Sequence, residues 1–157
     1  MLTVTGSPVI AAVDALRAIL RADTDTGHPE SMATLLGSAA RVYDHVPGAA
    51  RLAYPYLVLG RRSRTNEAGA LQAVGSVVSV QVDGWSDAKG PYQMQRIVSR
   101  VAALLERRPT LSLGPYVYLE RSLTCEHEEV FDEADMDAPE QRLYHGVQRW
   151  ALECHEA

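Results

Sequence analysis

Several features typical of secreted, membrane or disulfide-rich proteins are missing from this sequence. Among its 157 residues there are only two cysteines, Cys125 and Cys154, which are too few for a disulfide framework. No run of about 18 apolar residues occurs, so we expect no membrane-spanning helix. The first residues lack the basic start and apolar stretch of a signal peptide, which favours a reducing, cytoplasmic origin.

The motifs of common catalytic sites are also missing. The chain has no Gly-x-Ser-x-Gly, no phosphate-binding glycine loop and no His-Glu-x-x-His. The histidines are scattered at His28, His45, His127, His145 and His155. No acid–base pair follows from that spacing. We therefore expect no catalytic residue and no cofactor, and a small cytoplasmic α+β enzyme is the least favoured alternative.

Two candidate metal sites are unconvincing on spacing. The residues of zinc-binding type are Cys125, His127, Cys154 and His155. We place Cys125 at the loop end of a terminal hairpin and Cys154 at its far end, about 40 Å away, which argues against both shared zinc and a disulfide. Asp132, Asp135 and Asp137 depart from the EF-hand spacing and lack its central glycine. We expect no bound metal.

Charge is distributed unevenly along the chain. The net charge is −5, yet eight acidic residues and no Lys or Arg lie between positions 126 and 140, so the remainder carries 12 acidic and 15 basic residues, or +3. The acidic residues are Glu126, Glu128, Glu129, Asp132, Glu133, Asp135, Asp137 and Glu140. Arg61, Arg62 and Arg64 form the one compact basic cluster, which is too little to indicate nucleic-acid recognition.

Hydrophobic periodicity predicts two main helices. Ser7 and Pro8 suit the start of the first, whose apolar residues recur at helical spacing as far as Leu20. Met32–Leu36 is expected to form one short helical turn. The second main helix begins near Gly90 and ends before Pro109, with an apolar stripe comprising Met94, Ile97, Val98, Val101, Leu104 and Leu105.

The remaining segments predict a small antiparallel or mixed β-sheet in one domain spanning residues 1–157. Predicted strands are Arg41–Asp44, Tyr56–Gly60, Val77–Ser86, Tyr116–Thr124 and Arg142–Glu153. The expected class is α+β, with the order α-β-β-β-α-β-β and two helices packed on the sheet. Arg61–Ala73 and Cys125–Pro139 are predicted to be two long hairpin loops, and loops of this length are usually functional or disordered.

Three segments, taken together and in order, resemble the tail-terminator (tail-completion) proteins of long-tailed bacteriophages. They are Tyr54–Gly60, Val80–Asp87 with the helix that follows it, and Arg142–Val147. The resemblance implies a subunit that forms a six-membered ring on the tail tube, stops tube growth and offers a docking surface to the head-completion proteins. Another neck component, such as a head-completion or stopper protein, is the nearest alternative.

That resemblance directs attention to residues that would make contacts between proteins. For the contacts with neighbouring subunits or the tube we select Arg61, Arg62, Arg64, Tyr54, Tyr56, Trp85 and Tyr92. For an acidic arm that faces a partner or the channel we select Glu128, Glu129, Asp132, Glu133, Asp135 and Asp137.

The expected partners are further copies of the chain, the tail tube protein and a head-completion or stopper protein. DNA would pass through the channel without sequence-specific binding, and no membrane is involved. The expected location is the tail or neck of a virion that assembles in the host cytoplasm.

Overall fold

The computed structural model describes residues 7–45, 53–66, 75–107, 109–134 and 142–156, with the backbone alone at 61–66 and 134. The helices are α1 (Pro8–Arg21), α2 (Met32–Leu36) and α3 (Tyr92–Glu106), and the strands are β1 (Val42–Tyr43), β2 (Tyr56–Asn66), β3 (Gly75–Ser86), β4 (Tyr116–Tyr118), β5 (Thr124–Ala134) and β6 (Arg142–Glu156). The predicted α+β class is confirmed, since the described residues form three α-helices and a mixed six-stranded sheet. None of the described helices is long and apolar enough to cross a membrane.

Helix α1 begins and packs as its sequence pattern predicts. The Ser7 side chain accepts a hydrogen bond from the Val9 amide at 3.3 Å, which satisfies one of the unpaired donors at the helix start. Val13, Leu16 and Leu20 recur on one face and are buried. The predicted short turn also forms, as α2.

The sheet has the order β1-β2-β3-β6, and both β4 and β5 pair with the remaining edge of β6. Only the contact of β1 with β2 is parallel; the other pairings are antiparallel. Because β5 pairs with Arg142–Ala151 and β4 with Cys154–Glu156, the two form one interrupted edge strand. The predicted strand over Tyr116–Thr124 is therefore wrong in its middle, where the chain turns and Arg121 adopts a φ of 69°.

The two faces of the sheet have different environments. In β3, Val78, Val80 and Val82 are buried in one core cluster with the apolar side chains of α1, α2 and α3. The alternate residues, such as Asp83 and Trp85, are half-buried on the opposite side. We call this second side the open face.

The predicted long loops are mostly strand, which corrects the expectation for Arg61–Asn66 and for Cys125–Ala134. Pairing along the whole length of β3 and β6 forms these strands in spite of their polar sequences, because strand preference depends strongly on neighbours. Asn66 pairs with Ser76 beside the C-terminal end of β6, whereas Ala134 pairs with Arg142 at the β6 start. The two hairpins therefore extend toward opposite ends of the sheet.

The positions of the cysteines also differ from expectation. Cys125 lies opposite Trp150, four residues along β6 from Cys154, so their separation is nearer 14 Å than the expected 40 Å. The prediction was wrong because β5 begins at Thr124, which places Cys125 at the start of the terminal hairpin and not at its loop end. Neither cysteine forms a disulfide, and Cys154 is buried.

A pair of glycines allows α3 to approach the sheet closely. Gly84 of β3 and Gly146 of β6 are cross-strand partners on the helix side. A Cβ at Gly84 would lie 2.8 Å from the Met94 sulfur, and one at Gly146 would lie 2.7 Å from it. The missing side chains thus create the space that the fully buried Met94 occupies.

Candidate assembly surfaces

An aromatic row crosses the open face near the β5–β6 hairpin end. Tyr56, Trp85, His145 and Phe131 are successive cross-strand partners on β2, β3, β6 and β5. The Trp85 and His145 rings stack at 3.8 Å between centroids with an interplanar angle of 12°, and the Phe131 ring lies 4.8 Å from His145. Ring pairs of this kind stabilise sheets and also provide apolar contact area for a partner.

The row continues toward the β1 edge. The Tyr56 ring lies 5.5 Å from Tyr54 and 6.3 Å from Tyr43, so the three tyrosines form one group. The structure therefore brings together three of the predicted interface aromatics, Tyr54, Tyr56 and Trp85, on one side of the sheet.

His145 holds the row through polar contacts with two carboxylates. Its Nε2 lies 2.8 Å from Asp83 Oδ1, and its buried Nδ1 lies 3.5 Å from Glu133 Oε1. The Asp83 carboxylate also accepts a hydrogen bond from Gln81 at 3.0 Å. This arrangement fixes the imidazole beneath Trp85, and it places Glu133, a predicted member of the acidic arm, inside the row.

Tyr92 is placed apart from the aromatic row, at the first turn of α3. Its side chain is 70% exposed, and the Arg96 guanidinium lies 5.7 Å from the ring centroid. Arg96 also pairs with Glu30, and this pairing lowers the Glu30 pKa and raises the Arg96 pKa through their hydrogen bonds. The arginine thus orients an exposed aromatic surface without covering it.

A bidentate ion pair attaches the loop after α1 to α3. Arg100 donates from Nε and Nη2 to the two Asp23 carboxylate oxygens, both at 2.8 Å. Asp23 Oδ2 also accepts from the Met32 amide at 2.8 Å, which caps the start of α2. Hydrogen bonding to Arg100 is the main reason that the Asp23 pKa lies below its usual value.

The described members of the acidic arm lie at exposed or half-buried positions and make separate contacts. Glu128 accepts a hydrogen bond from the buried Gln148, whose amide also donates to the Val98 carbonyl at 2.8 Å. Asp132 pairs with Arg142 across the hairpin at 2.8 Å. Glu129 is exposed, and its carboxylate lies 3.4 Å from His127 Nε2. Two further members of the arm, at positions 135 and 137, lie outside the described residues.

The predicted arginines lie in the distal half of β2. Arg62 pairs with Val80 and Arg64 with Val78, and a register shift between Leu59 and Arg62 places Arg61 at the irregularity. The arginines and the acidic strand β5 are at opposite edges of the same sheet. Two strands, β3 and β6, separate the backbones of these segments within one subunit.

Four residues that organise these surfaces were not predicted as site residues from the sequence: Asp83, Phe131, His145 and Gln148. Asp83 and Trp85 are two residues apart in the predicted strand, and this spacing alone predicts that their side chains share one face of the sheet. Phe131 and His145 depend on the β5–β6 register, and Gln148 depends on the position of α3. No local pattern reveals these contacts.

One cavity near β4 has the size of a small-molecule site. Its volume is about 470 Å³, and its lining includes Arg107, Thr110, Tyr118 and Glu120. The buried Tyr118 hydroxyl has no hydrogen-bond partner among the described residues, so none of them is placed to act as its base. Within the described part of the chain, no three His, Cys, Asp or Glu side chains are arranged to hold a metal ion.

Comparisons with known proteins identify the family and the fold of the chain. The family model described as tail completion protein gp17 matches residues 14–151. A solved chain from the "virion of native gene transfer agent (GTA) particle" has the same fold, with a TM-score of 0.69 at 21% identity, and the match covers 98% of this chain and 99% of that one. No curated protein matches the sequence. The chain belongs to the tail completion protein gp17 family and is a structural protein of a phage-type tail or neck.

Proposed function

We propose that this protein is a tail terminator, six copies of which close into a ring on the head-proximal end of the tail tube. The ring blocks addition of further tube subunits and presents a surface to the head-completion or stopper protein. The protein acts by binding and shape, without catalysis. DNA passes through the ring without sequence-specific contact.

The observation that carries this proposal is the placement of the two hairpins at opposite ends of one sheet. A terminator must bind the tube on one side of its ring and a head-proximal protein on the other. Hairpins that extend both ways from a shared sheet can supply these two contacts from each subunit. A ring also needs head-to-tail interfaces that close after a fixed rotation, and the open face and sheet edges offer area for them.

A mixing assay with polymerising tube protein tests the capping role. Tubes grown with the protein should be shorter, and each should carry one ring at one end in electron micrographs. Light scattering should give six copies per ring, either in the free protein or after release from the tube. Unchanged tube lengths and no ring on either end would refute the proposal, whereas a ring that binds only a portal-side protein would favour the stopper alternative.

Exposed Tyr92 provides a matched pair of variants for the same assay. We propose that its ring contacts a neighbouring subunit or the tube, so Tyr92→Ala should weaken capping about tenfold with little loss of stability. Ile10→Ala removes a side chain that is 56% exposed on α1, which makes it the control. Equal effects of the two substitutions would remove Tyr92 from the interface.

The acidic arm can be tested through DNA retention. We propose that carboxylates near the β5–β6 tip face the channel, where their repulsion keeps DNA from adhering. The variant with Asp132, Asp135 and Asp137 changed to Asn should retain more DNA on the purified ring at low salt. Equal retention by this variant and the parent protein would argue against the channel position.

A further inference from the structure

Two edges of the sheet carry strands without a second partner in the described part of the chain. On one side, β1 pairs only with Leu57 and Val58, which leaves the outer edge of Arg61–Asn66 unpaired among the described residues. On the other side, β5 pairs with β6 along one edge only. Unpaired edges with exposed backbone donors and acceptors are templates for a strand from another chain.

The two edges carry opposite charge. The described length of β5 contains five carboxylates and no Lys or Arg, namely Glu126, Glu128, Glu129, Asp132 and Glu133. The segment Arg61–Asn66 contains three arginines and no acidic residue. Two copies of the acidic edge repel each other, and so do two copies of the basic edge. Pairing of the acidic edge of one copy with the basic edge of another is therefore favoured.

We propose that β5 of one copy adds to the Arg61–Asn66 segment of β2 in the next copy, which joins the sheets of neighbouring subunits. The occupant of each edge is thus a second copy of this chain. The inference rests on the proposed ring, and it identifies the backbone contact that joins one subunit of that ring to the next.

The strand directions agree with this pairing. β2 runs antiparallel to β3, β3 to β6, and β6 to β5, so β2 and β5 run in opposite directions. When copies are related by rotation about an axis close to the strand direction, β5 of one copy lies antiparallel to β2 of the next. The contact is heterologous and can repeat around a ring.

The charged segments match after a modest stagger. Arg62 is level with Val80 and Trp150 on the helix side, and Glu128 is level with Gln148 on the same side, two residues away along β6. That offset is about 7 Å over four strand spacings of about 4.8 Å each, a tilt of about 20°. Small closed barrels tilt their strands by roughly 35–45°, so this larger closed sheet would need a shallower tilt than they do. Six copies with four strands each would give a ring about 40 Å across between backbones, wide enough for duplex DNA.

Charge reversal with compensation tests the proposed contact. Variant one is Arg62→Glu with Arg64→Glu, variant two is Glu126→Arg with Glu128→Arg, and variant three combines all four changes. Each of the first two should require a protein concentration at least about tenfold higher for ring assembly, and the third should recover assembly. Added salt should weaken the parent ring and variant three alike.

A control separates the contact from net charge. Asp87→Arg with Glu106→Arg makes the same charge change as variant two at two exposed positions away from both edges, and it should assemble like the parent protein. Hydrogen exchange adds a backbone readout. Segments 61–66 and 124–134 should exchange more slowly in the ring than in the unassembled variant one, by at least about tenfold, because their edge amides become paired.

The outcomes distinguish this inference from the ring itself. If the parent protein forms rings and variants one and two form them equally well, the edge contact is refuted and the ring stands. If the parent caps no tubes and forms no ring, the proposed function fails first. The complementary pairing is also refuted if the first two variants lose assembly, variant three does not recover it, and hydrogen exchange in both segments is the same in the parent ring as in the unassembled variant one.

Discussion

Adding one methyl group at Gly146 should destabilise the fold measurably, because α3 lies directly above that position. The new Cβ would be 2.7 Å from Met94 Sδ, 2.7 Å from Val98 Cγ1 and 2.9 Å from Met94 Cγ. Carbon and sulfur contacts normally exceed about 3.5 Å, so the helix or its side chains must shift by roughly 0.8 Å. Met94 is fully buried, and β-branched Val98 is stiff, which limits that adjustment.

The size of the effect follows from two opposing terms. Overpacking a core by one methyl group costs about 1–3 kcal/mol. Replacing glycine by alanine returns roughly 0.5–1 kcal/mol through lower backbone entropy in the unfolded chain. We therefore expect Gly146→Ala to lower the free energy of unfolding by about 1–2 kcal/mol, and Tm by roughly 4 °C for a domain of this size.

Denaturant unfolding followed by tryptophan fluorescence provides the assay, since Trp150 is fully buried and Trp85 is stacked on His145. Gly90→Ala is the matched control, because a Cβ there has no atom within 4 Å. Met94→Ala should absorb most of the strain, so Gly146→Ala should cost about 1 kcal/mol less on that background. Equal stability of the Gly146→Ala and Gly90→Ala variants would refute the close approach of α3.

Three further predictions concern stability. Asp23→Asn should cost about 1–3 kcal/mol at pH 7, since it breaks the bidentate contact with Arg100. The Asp23 pKa is lowered on folding, so this contribution is present above the ordinary carboxyl pKa of 3.8 and disappears as pH falls through the lower folded pKa. In acid titrations followed by circular dichroism, the parent protein and this variant should therefore converge well below pH 3.8. Ser7→Ala should cost about 1 kcal/mol in urea unfolding through the lost cap on Val9, and Ser7→Asp should restore it. Gln148→Leu should cost about 1–3 kcal/mol, measured the same way, because Val98 O and the Glu128 carboxylate lose their donor.

Local sequence patterns determined the helices and strands that depend on residues close together in the chain. The Ser7 cap and the apolar spacing of α1 and α3 are short-range signals, and both helices form where those signals predict. The alternation of Val78, Val80 and Val82 likewise identified the half-buried strand β3. The order of segments that resembles tail terminators agrees with the family match.

Only the tertiary structure decided the extent of the two hairpins and the contacts across them. The polar sequences of Arg61–Asn66 and Cys125–Ala134 do not favour strands locally, yet both form strands because β3 and β6 supply backbone partners along their length. The same pairing brings Phe131 to His145 and Trp85, residues far apart in the chain. It also places the basic segment and the acidic strand at opposite edges, a relation that depends on strand order and cannot be read from composition.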